Sequence, residues 1–272
     1  MLKFKEKEDY RNIVELRDIK QSYDGGKTMI IENLDFLIQD KPEQGEFICI
    51  LGMSGCGKST LLRYIAGLQK PTEGTVMVNG KPVSDDNRVS MVFQQYSSLP
   101  WMTVLDNVGL ALRFKGVSKK ERDIKAMEII EMVGLAGHEK KYAQYPTLSG
   151  GQLQRVAIAR SLLANSEVLL MDEPFGALDV KTRLQMQDLL QDIWNKFHPT
   201  IIFVTHDVPE AVYLADDIYI MKYAPSKFVE HIHIDLPLER NRYTKRDPRF
   251  VELVHEVEDK MINVSDGIFT TK

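Results

Sequence analysis

Apolar and polar residues alternate in short stretches of the N-terminal third of the chain, which is the pattern of β-strands with one buried face. Leu34, Phe36 and Ile38 follow this alternation after a turn at Asp24-Gly25-Gly26. The run at residues 47–51 is apolar throughout, so it predicts a strand that is buried on both faces. Further strands are predicted at residues 13–38, 75–78, 89–93, 168–171, 201–204, 218–221 and 229–234.

Between residues 96 and 164 the spacing of apolar residues becomes helical. Ser118 and Glu121 have the spacing of a capping box and Gly134 is a stop signal, so we predict a helix over residues 119–133. Its apolar stripe is predicted to consist of Ile124, Met127, Ile130 and Val133. Other helices are predicted at residues 59–68, at 153–163 and near the C-terminus, where one face carries Phe250, Val254, Val257 and Met261.

Several of the later strands end in acidic or polar residues. Asp172 and Glu173 follow the run at 168–171, and Thr205 follows the run at 201–204. Alternating strands and helices with such endings are typical of a mostly parallel sheet with a functional site at its carboxyl edge. We therefore predict an α/β fold with an N-terminal antiparallel β subdomain and an inserted helical subdomain. The predicted boundaries are 12–235 for the main domain, about 96–164 for the insertion, and 236–272 for a C-terminal extension with an amphipathic helix.

Composition narrows the class of protein. The 272 residues are 43% apolar and 27% charged, which is ordinary for a globular protein. A net charge of −4 offers no basic excess for nucleic acid, so no nucleic-acid partner is expected. The charged N-terminus lacks a secretory signal and no run of 18 apolar residues predicts a membrane span. Cys49 and Cys56 form no disulfide framework and are expected to be reduced thiols in the cytoplasm.

The segment from Gly52 to Thr60 matches G-x-x-x-x-G-K-[ST], the P-loop of nucleotide-binding proteins. Glycines let backbone N–H groups surround phosphate oxygens, and the following helix adds its positive dipole end. Lys58 is expected to reach the β- and γ-phosphates and Ser59 to ligate Mg²⁺. The predicted nucleotide contacts in this loop are Gly52, Ser54, Gly55, Cys56, Gly57, Lys58, Ser59 and Thr60.

With this loop, five further motifs resemble, in order, those of the ATPase subunit of ATP-binding-cassette (ABC) transporters. The resemblance covers about residues 12–235 and implies a P-loop NTPase (RecA-like) core, ATP and Mg²⁺. The motifs are Gly52 to Thr60 (Walker A), Val92 to Gln95 (Q-loop), Leu148 to Gln152 (signature), Val168 to Pro174 (Walker B), Gly176 to Asp179 (D-loop) and Thr205 to Asp207 (H-switch).

The resemblance assigns catalytic roles to residues at the strand ends. Asp172 is expected to hold Mg²⁺ through oxygen, the ligand atom that this hard cation prefers. Glu173 is expected to deprotonate the attacking water, and His206 to hydrogen-bond the γ-phosphate. Gln94 resembles the glutamine that touches Mg²⁺ and the attacking water; Gln95 could fill that role, but the family pattern favours Gln94.

The signature opens a helix and so supplies a second anion-binding helix start in one chain. In the family this pattern reflects dimerisation, because the signature contacts the ATP held by the other subunit. By resemblance, that contact involves Ser149, Gly150, Gly151 and Gln152. Asp179 is expected at the same interface, and Tyr23 resembles the aromatic residue that stacks on adenine. The second subunit is either another copy or a paralogue.

Residues 98–108 resemble the importer group for nitrate, sulfonate, taurine and related solutes. This implies transmembrane permease subunits, an external solute-binding protein and a location at the cytoplasmic face of the membrane. Trp101 lies in a proline-containing loop after Gln94, and it is predicted either to dock the permease or to pack into the helical insertion. The longer loop at residues 39–44 departs from the group without affecting a motif.

Three other functions compete with an importer ATPase. An ABC exporter or lipid-transport ATPase shares the chemistry, but the Leu-Pro-Trp stretch at 99–101 argues against it. A GTPase would carry Asn-Lys-x-Asp, which residues 195–198 lack, and a DNA-repair ATPase would carry coiled-coil heptads. A binding module without turnover would not need Glu173.

Two polar features are interpreted as structural. His231 and His233 alternate on one strand without a third ligand nearby, so a metal site is disfavoured. The basic stretch at 240–249 is interpreted as a solvated face, with contact to lipid or to the permease as the alternative.

Overall fold

The computed structural model describes residues 10–39, 45–84, 87–164 and 167–265. Most of the longer loop noted at 39–44 lies outside these ranges. The strands are β1 (Asn12–Gln21), β2 (Ile31–Gln39), β3 (Phe47–Gly52), β4 (Glu73–Val78), β5 (Lys81–Pro82), β6 (Ser90–Val92), β7 (Val168–Asp172), β8 (Thr200–Thr205), β9 (Asp217–Lys222) and β10 (Lys227–His233). The helices are α1 (Lys58–Ile65), α2 (Val104–Val108), α3 (Leu110–Phe114), α4 (Lys119–Met132), α5 (Gly150–Leu163), α6 (Val180–Phe197), α7 (Val208–Leu214) and α8 (Pro248–Ser265).

Two sheets build the fold, as the sequence predicts. The larger has the order β10-β9-β3-β8-β7-β6, in which β9, β3, β8, β7 and β6 run parallel and β10 pairs antiparallel with β9. The smaller is antiparallel with the order β2-β1-β4-β5. The α/β fold with an added antiparallel sheet is therefore confirmed.

The central strand β3 separates two hydrophobic cores. Phe47, Cys49 and Leu51 pack on one face with the helices of the insertion and with α8. Ile48 and Ile50 pack on the other with α1 and the antiparallel sheet. Because successive side chains of a strand point to opposite faces, a continuous apolar run serves both cores. The carboxyl end of β3 thus holds the P-loop on a rigid strand.

Two helical predictions were partly wrong. On α4 the buried residues are Ala126 and Ile130, with Val133 just beyond the helix, whereas Ile124 and Met127 are exposed. At 100° per residue, Ile124 lies about 150° around the helix from the centre of the face formed by Ala126, Ile130 and Val133, so the predicted stripe combined two faces.

The other correction concerns α5, which begins at Gly150 rather than at residue 153. Both signature glycines therefore lie in its first turn, because Ser149 closes a capping box that starts the helix early. Within the described ranges, no helix is both long and apolar enough to cross a bilayer.

Candidate nucleotide site

The P-loop joins β3 to α1 in a conformation that requires glycine. Gly55 and Gly57 have φ angles of 82° and 93°, in the left-handed region that L-residues disfavour. The Lys58 ammonium donates to the backbone carbonyls of Gly52 at 2.8 Å and Met53 at 3.0 Å. The lysine therefore folds back over the loop that it follows.

Cys56 packs inward rather than lining the loop. Its side chain is fully buried, and burial raises the pKa of its thiol. A Cβ added at Gly52 would lie 2.6 Å from the Cys56 sulfur and 2.6 Å from the carbonyl oxygen of Met221. Gly52 thus allows β3, the loop and the end of β9 to approach closely.

A hydroxyl oxygen and a carboxylate oxygen from distant parts of the sequence lie together beside the P-loop. The Ser59 hydroxyl donates to Oδ1 of Asp172 at 2.7 Å, although 113 residues separate them in sequence. Asp172 ends the buried strand β7, and burial raises the pKa of its carboxyl. A hydroxyl and a carboxylate at hydrogen-bond distance form an oxygen donor set that fits Mg²⁺.

Glu173 is held in a strained backbone conformation. Its φ of 44° is left-handed, and its N–H donates to the carbonyl of Val204 at 3.0 Å, which ties it to β8. Oε2 of Glu173 lies 3.3 Å from Nδ1 of His206, which follows β8 and is exposed. Strained residues are concentrated at functional sites, where the surrounding structure holds them in place.

The side chains of Gln94 and Glu173 both approach Gly176. A Cβ built on Gly176 would lie 3.4 Å from Nε2 of Gln94 and 3.9 Å from Oε2 of Glu173. The Q-loop, Walker B and D-loop segments therefore converge where the absence of a side chain at Gly176 leaves space. The assignment of Gln94 rather than Gln95 to the site stays a prediction.

At the start of α5, both side chains of the capping box are used within the chain. The Ser149 hydroxyl accepts from the Gln152 N–H at 3.3 Å, and Oε1 of Gln152 accepts from the Ser149 N–H at 2.9 Å. The Gln152 amide also lies 3.0 Å from Nε2 of His138. Gln152 therefore shapes the helix start, and a ligand contact by its side chain would have to displace these partners.

The two signature glycines are contacted from a loop and from the first turn of α6, which sequence reasoning missed. A Cβ at Gly150 would collide with the hydroxyl of Tyr96, which follows Gln94 and Gln95. A Cβ at Gly151 would lie 2.5 Å from the methyl group of Thr182. The sequence contained no signal for these contacts, because they depend on how the Tyr96 loop and α6 approach α5.

Asp179 caps α6 from within the D-loop. Its carboxylate accepts from the Thr182 hydroxyl at 2.6 Å and from the Thr182 N–H at 3.0 Å, and these bonds lower its pKa. The same threonine therefore connects the D-loop cap to the signature glycine Gly151.

Tyr23 and Tyr223 are both exposed aromatic residues near α1. The Tyr23 hydroxyl accepts from Gln69 at 3.2 Å, just beyond the C-terminal end of α1. Tyr223 was not predicted, yet its ring lies 3.6 Å from the point where a Cβ on Gly55 would be. It follows β9, which neighbours β3, so its place at the carboxyl edge of the sheet was the available signal.

His231 and His233 both contact Asp217. Nε2 of His231 lies 2.8 Å and Nδ1 of His233 3.3 Å from Oδ1 of that carboxylate. Across the ranges that the structure covers, no group of three or more His, Cys, Asp or Glu side chains could hold a metal ion. The pair is accounted for by contacts along the β9–β10 edge.

Comparison with known proteins gives consistent results. The family model described as ABC transporter matches residues 33–176. The nitrate import ATP-binding protein NrtD of Synechocystis sp. is 43% identical over 90% of this chain and 93% of its own length. The aliphatic sulfonates import ATP-binding protein SsuB of Bacillus subtilis is 46% identical over 81% of this chain and 84% of its own length.

A solved structure has the same fold. It is a dimeric, post-hydrolysis ATP-binding cassette bound to ADP and phosphate, with 33% identity and a TM-score of 0.69. The match covers 83% of this chain and all of that one.

Proposed function

Since the chain belongs to the ABC transporter family of ATP-binding proteins, we propose that it powers import of a small oxyanionic solute such as nitrate or a sulfonate. The chain is an ATPase. The observation that supports this solute class is the sequence identity of this chain to import ATP-binding proteins. The identity is 43% to a nitrate import protein and 46% to a sulfonate import protein, over most of each chain. Glu173, Gln94 and His206 supply the converging groups that hydrolysis needs.

In the proposed reaction Glu173 takes the proton of the attacking water. Its carboxylate lies against His206, which orients it and can hydrogen-bond the γ-phosphate. Lys58 exchanges its bonds to the carbonyls of Gly52 and Met53 for phosphate oxygens. Ser59, Asp172 and Gln94 would hold Mg²⁺, and the ion would neutralise developing charge on the phosphates.

We further propose that the working unit is a dimer with shared sites. The starts of α1 and α5 are both suited to anions. Each catalytic site would combine one P-loop helix start with one signature helix start. A second copy or a paralogue would offer its signature at Ser149 to the P-loop of this chain. The dimeric state of the similar cassette supports the proposal.

Trp101 is proposed to dock the transmembrane permease at the cytoplasmic face of the membrane. Its side chain is 70% exposed, so it does not pack into the helical insertion. Trp101→Ala should therefore leave the melting temperature and basal ATPase of the isolated subunit intact, while weakening assembly with the permease. Phe114→Ala is the matched control, since Phe114 is an exposed aromatic residue on α3 of the same insertion.

The experiment that tests the proposed function is reconstitution in vesicles. A permease and a solute-binding protein, sought among the reading frames next to the one for this chain, are combined with it. Uptake of nitrate or a sulfonate is then measured with ATP on the side of the ATPase subunit. ATP-dependent uptake would support the importer. Efflux of a lipid or other solute, with no uptake, would contradict the importer and would instead support an ABC exporter.

A further inference from the structure

The basic stretch at residues 240–249 is not a uniformly solvated face, which corrects the interpretation from the sequence. Arg240 is 6% exposed, donates to the carbonyls of Tyr213 and Ala215, and pairs with Asp216 at 3.1 Å. Lys245 is half-buried, and its ammonium lies 4.1 Å from the centre of the Tyr213 ring. Arg240 and Lys245 therefore pack against α7 and the residues that follow it.

A cavity of about 500 Å³ lies between this stretch and α6. Its lining contains three cations and one carboxylate, together with an aromatic and an aliphatic side chain: Arg242, Lys245, Arg246, Asp188, Tyr243 and Leu184. The carboxylate of Asp188 accepts from the Tyr213 hydroxyl at 2.7 Å. Among the residues that the structure covers, none of the three cations has a carboxylate within ion-pair distance.

We propose that this cavity binds a small molecule bearing a phosphate or sulfate group, and that binding regulates the ATPase. Arginine guanidinium groups match the oxygens of such groups with paired N–H donors, and Arg242 and Arg246 supply two of them at one opening. The volume falls in the range of small-molecule sites, so more than the charged group can be accommodated. The cavity has three cationic side chains and one carboxylate, although the whole chain has a net charge of −4. This local excess of positive charge favours binding of an anion.

A chain of hydrogen bonds connects the cavity to the H-switch. Nζ of Lys245 donates to Oε1 of Gln187 at 2.5 Å, and Nε2 of Gln187 donates to Oε1 of Glu210 at 2.8 Å. The N–H of Glu210 donates to Oδ1 of Asp207 at 2.9 Å, directly after His206. Each of these bonds holds the next polar group in place.

An anion in the cavity competes with Gln187 for the Lys245 ammonium. When Lys245 turns to the anion, Gln187 and Glu210 lose their support and the start of α7 loosens beside His206. The anion therefore slows hydrolysis. This step rests on the proposed role of His206, whereas binding of the anion does not.

Binding is tested first, with sodium sulfate as the probe. Sulfate is titrated calorimetrically into the full chain saturated with Mg²⁺ and a non-hydrolysable ATP analogue, so that the P-loop is occupied, against sodium chloride of equal ionic strength. Saturable binding should weaken at least tenfold in the double variant Arg242→Ala/Arg246→Ala. It should persist in Arg249→Ala, which removes a cation of the same stretch that is paired with Asp235 at 2.9 Å.

Absence of saturable binding, or equal binding by the double variant, would overturn the site. A parallel arm uses vesicles of phosphatidylglycerol. If the chain binds these vesicles through Arg242 and Arg246 but does not bind free sulfate, the ligand is a lipid headgroup and the proposal of a small molecule fails.

Regulation is tested by steady-state ATPase assays. Sulfate should lower kcat about fivefold or more, the low end of ordinary allosteric coupling. Lys245→Met should start from a reduced kcat and resist further inhibition, whereas Arg249→Ala should behave like the unmodified chain. If Lys245→Met remains fully inhibited, the hydrogen-bond chain is wrong. If the unmodified chain has no ATPase activity, its catalytic assignment is wrong. The calorimetric result then decides by itself whether the anion site exists.

Discussion

At the scale of single residues, the geometry of Glu173 carries the catalytic proposal. Its left-handed backbone and its bond to Val204 aim the carboxylate at His206. Glu173→Gln should keep ATP affinity and reduce kcat by about 10²–10⁴, because the amide cannot accept a proton. Steady-state ATPase and nucleotide-binding assays measure the two effects, with the exposed Glu252→Gln as control. An unchanged kcat would sink the assignment.

The signature glycine Gly151 offers a second test at this scale. Gly151→Ala should cost about 1–3 kcal/mol of stability and slow hydrolysis, because the new methyl group meets the methyl of Thr182 at 2.5 Å. Adding Thr182→Ser removes that methyl and keeps the hydroxyl that bonds Asp179. The double variant should recover most of the melting temperature and activity. No recovery would mean that the clash does not cause the defect.

Residues in sequence motifs could be predicted, whereas partners supplied by tertiary approach could not. Ser59 and Asp172 were both predicted as Mg²⁺ ligands, and the Ser59 hydroxyl lies 2.7 Å from Oδ1 of Asp172. The contacts of Tyr96 and Thr182 with the signature glycines follow from the packing of a distant loop and of α6 against α5, which local sequence does not encode.

At the scale of elements, α8 shows how one helix face joins the main core. Leu253 is 1% exposed and Val251 is 43% exposed on the same helix. Leu253→Ala should lower the free energy of unfolding by about 2–5 kcal/mol, the usual cost of a cavity in a core. Val251→Ala should change it by less than about 0.5 kcal/mol, as exposed substitutions do. Equal effects in urea denaturation would contradict this packing.

A buried acid makes α7 sensitive to pH. Burial raises the pKa of Glu210 above its ordinary value of 4.5, so the folded state holds this proton more tightly than the unfolded state. The stability it contributes is present below pH 4.5 and is lost as pH rises through the raised pKa.

Glu210→Gln removes this titration and can still accept from Gln187. Its free energy of unfolding relative to the unmodified chain should rise with pH above 4.5, by about 1.4 kcal/mol for each pH unit by which folding raises the pKa of Glu210. Urea denaturation at several pH values measures the difference. A difference that stays constant with pH would contradict the burial argument.

Elements with long or continuous patterns were predicted better than short ones. The buried runs of β3, β7 and β8 were found because an apolar run bounded by polar residues has few other interpretations. No helix was predicted at α2 or α3, which have five residues each and are held by tertiary contacts. No helix was predicted at α6 either, although Met186, Leu190 and Ile193 repeat at helical spacing.

At the scale of the whole molecule, one chain carries two helix starts suited to phosphate. The starts of α1 and α5 belong to the nucleotide-binding core and to the helical insertion respectively. The positive end of each helix dipole favours an anion. A dimer that joins the P-loop of one copy to the signature of the other would use both helix starts at each ATP.

Mixing two inactive chains tests whether the two copies share their ATP sites. One carries Lys58→Ala and the other Ser149→Arg, and the steady-state ATPase rate of the purified mixed dimer is measured. If sites are shared, one composite site contains both lesions and the other contains none, so the mixed dimer should recover activity that neither parent dimer shows. A confirmed mixed dimer without any ATPase activity would contradict shared sites.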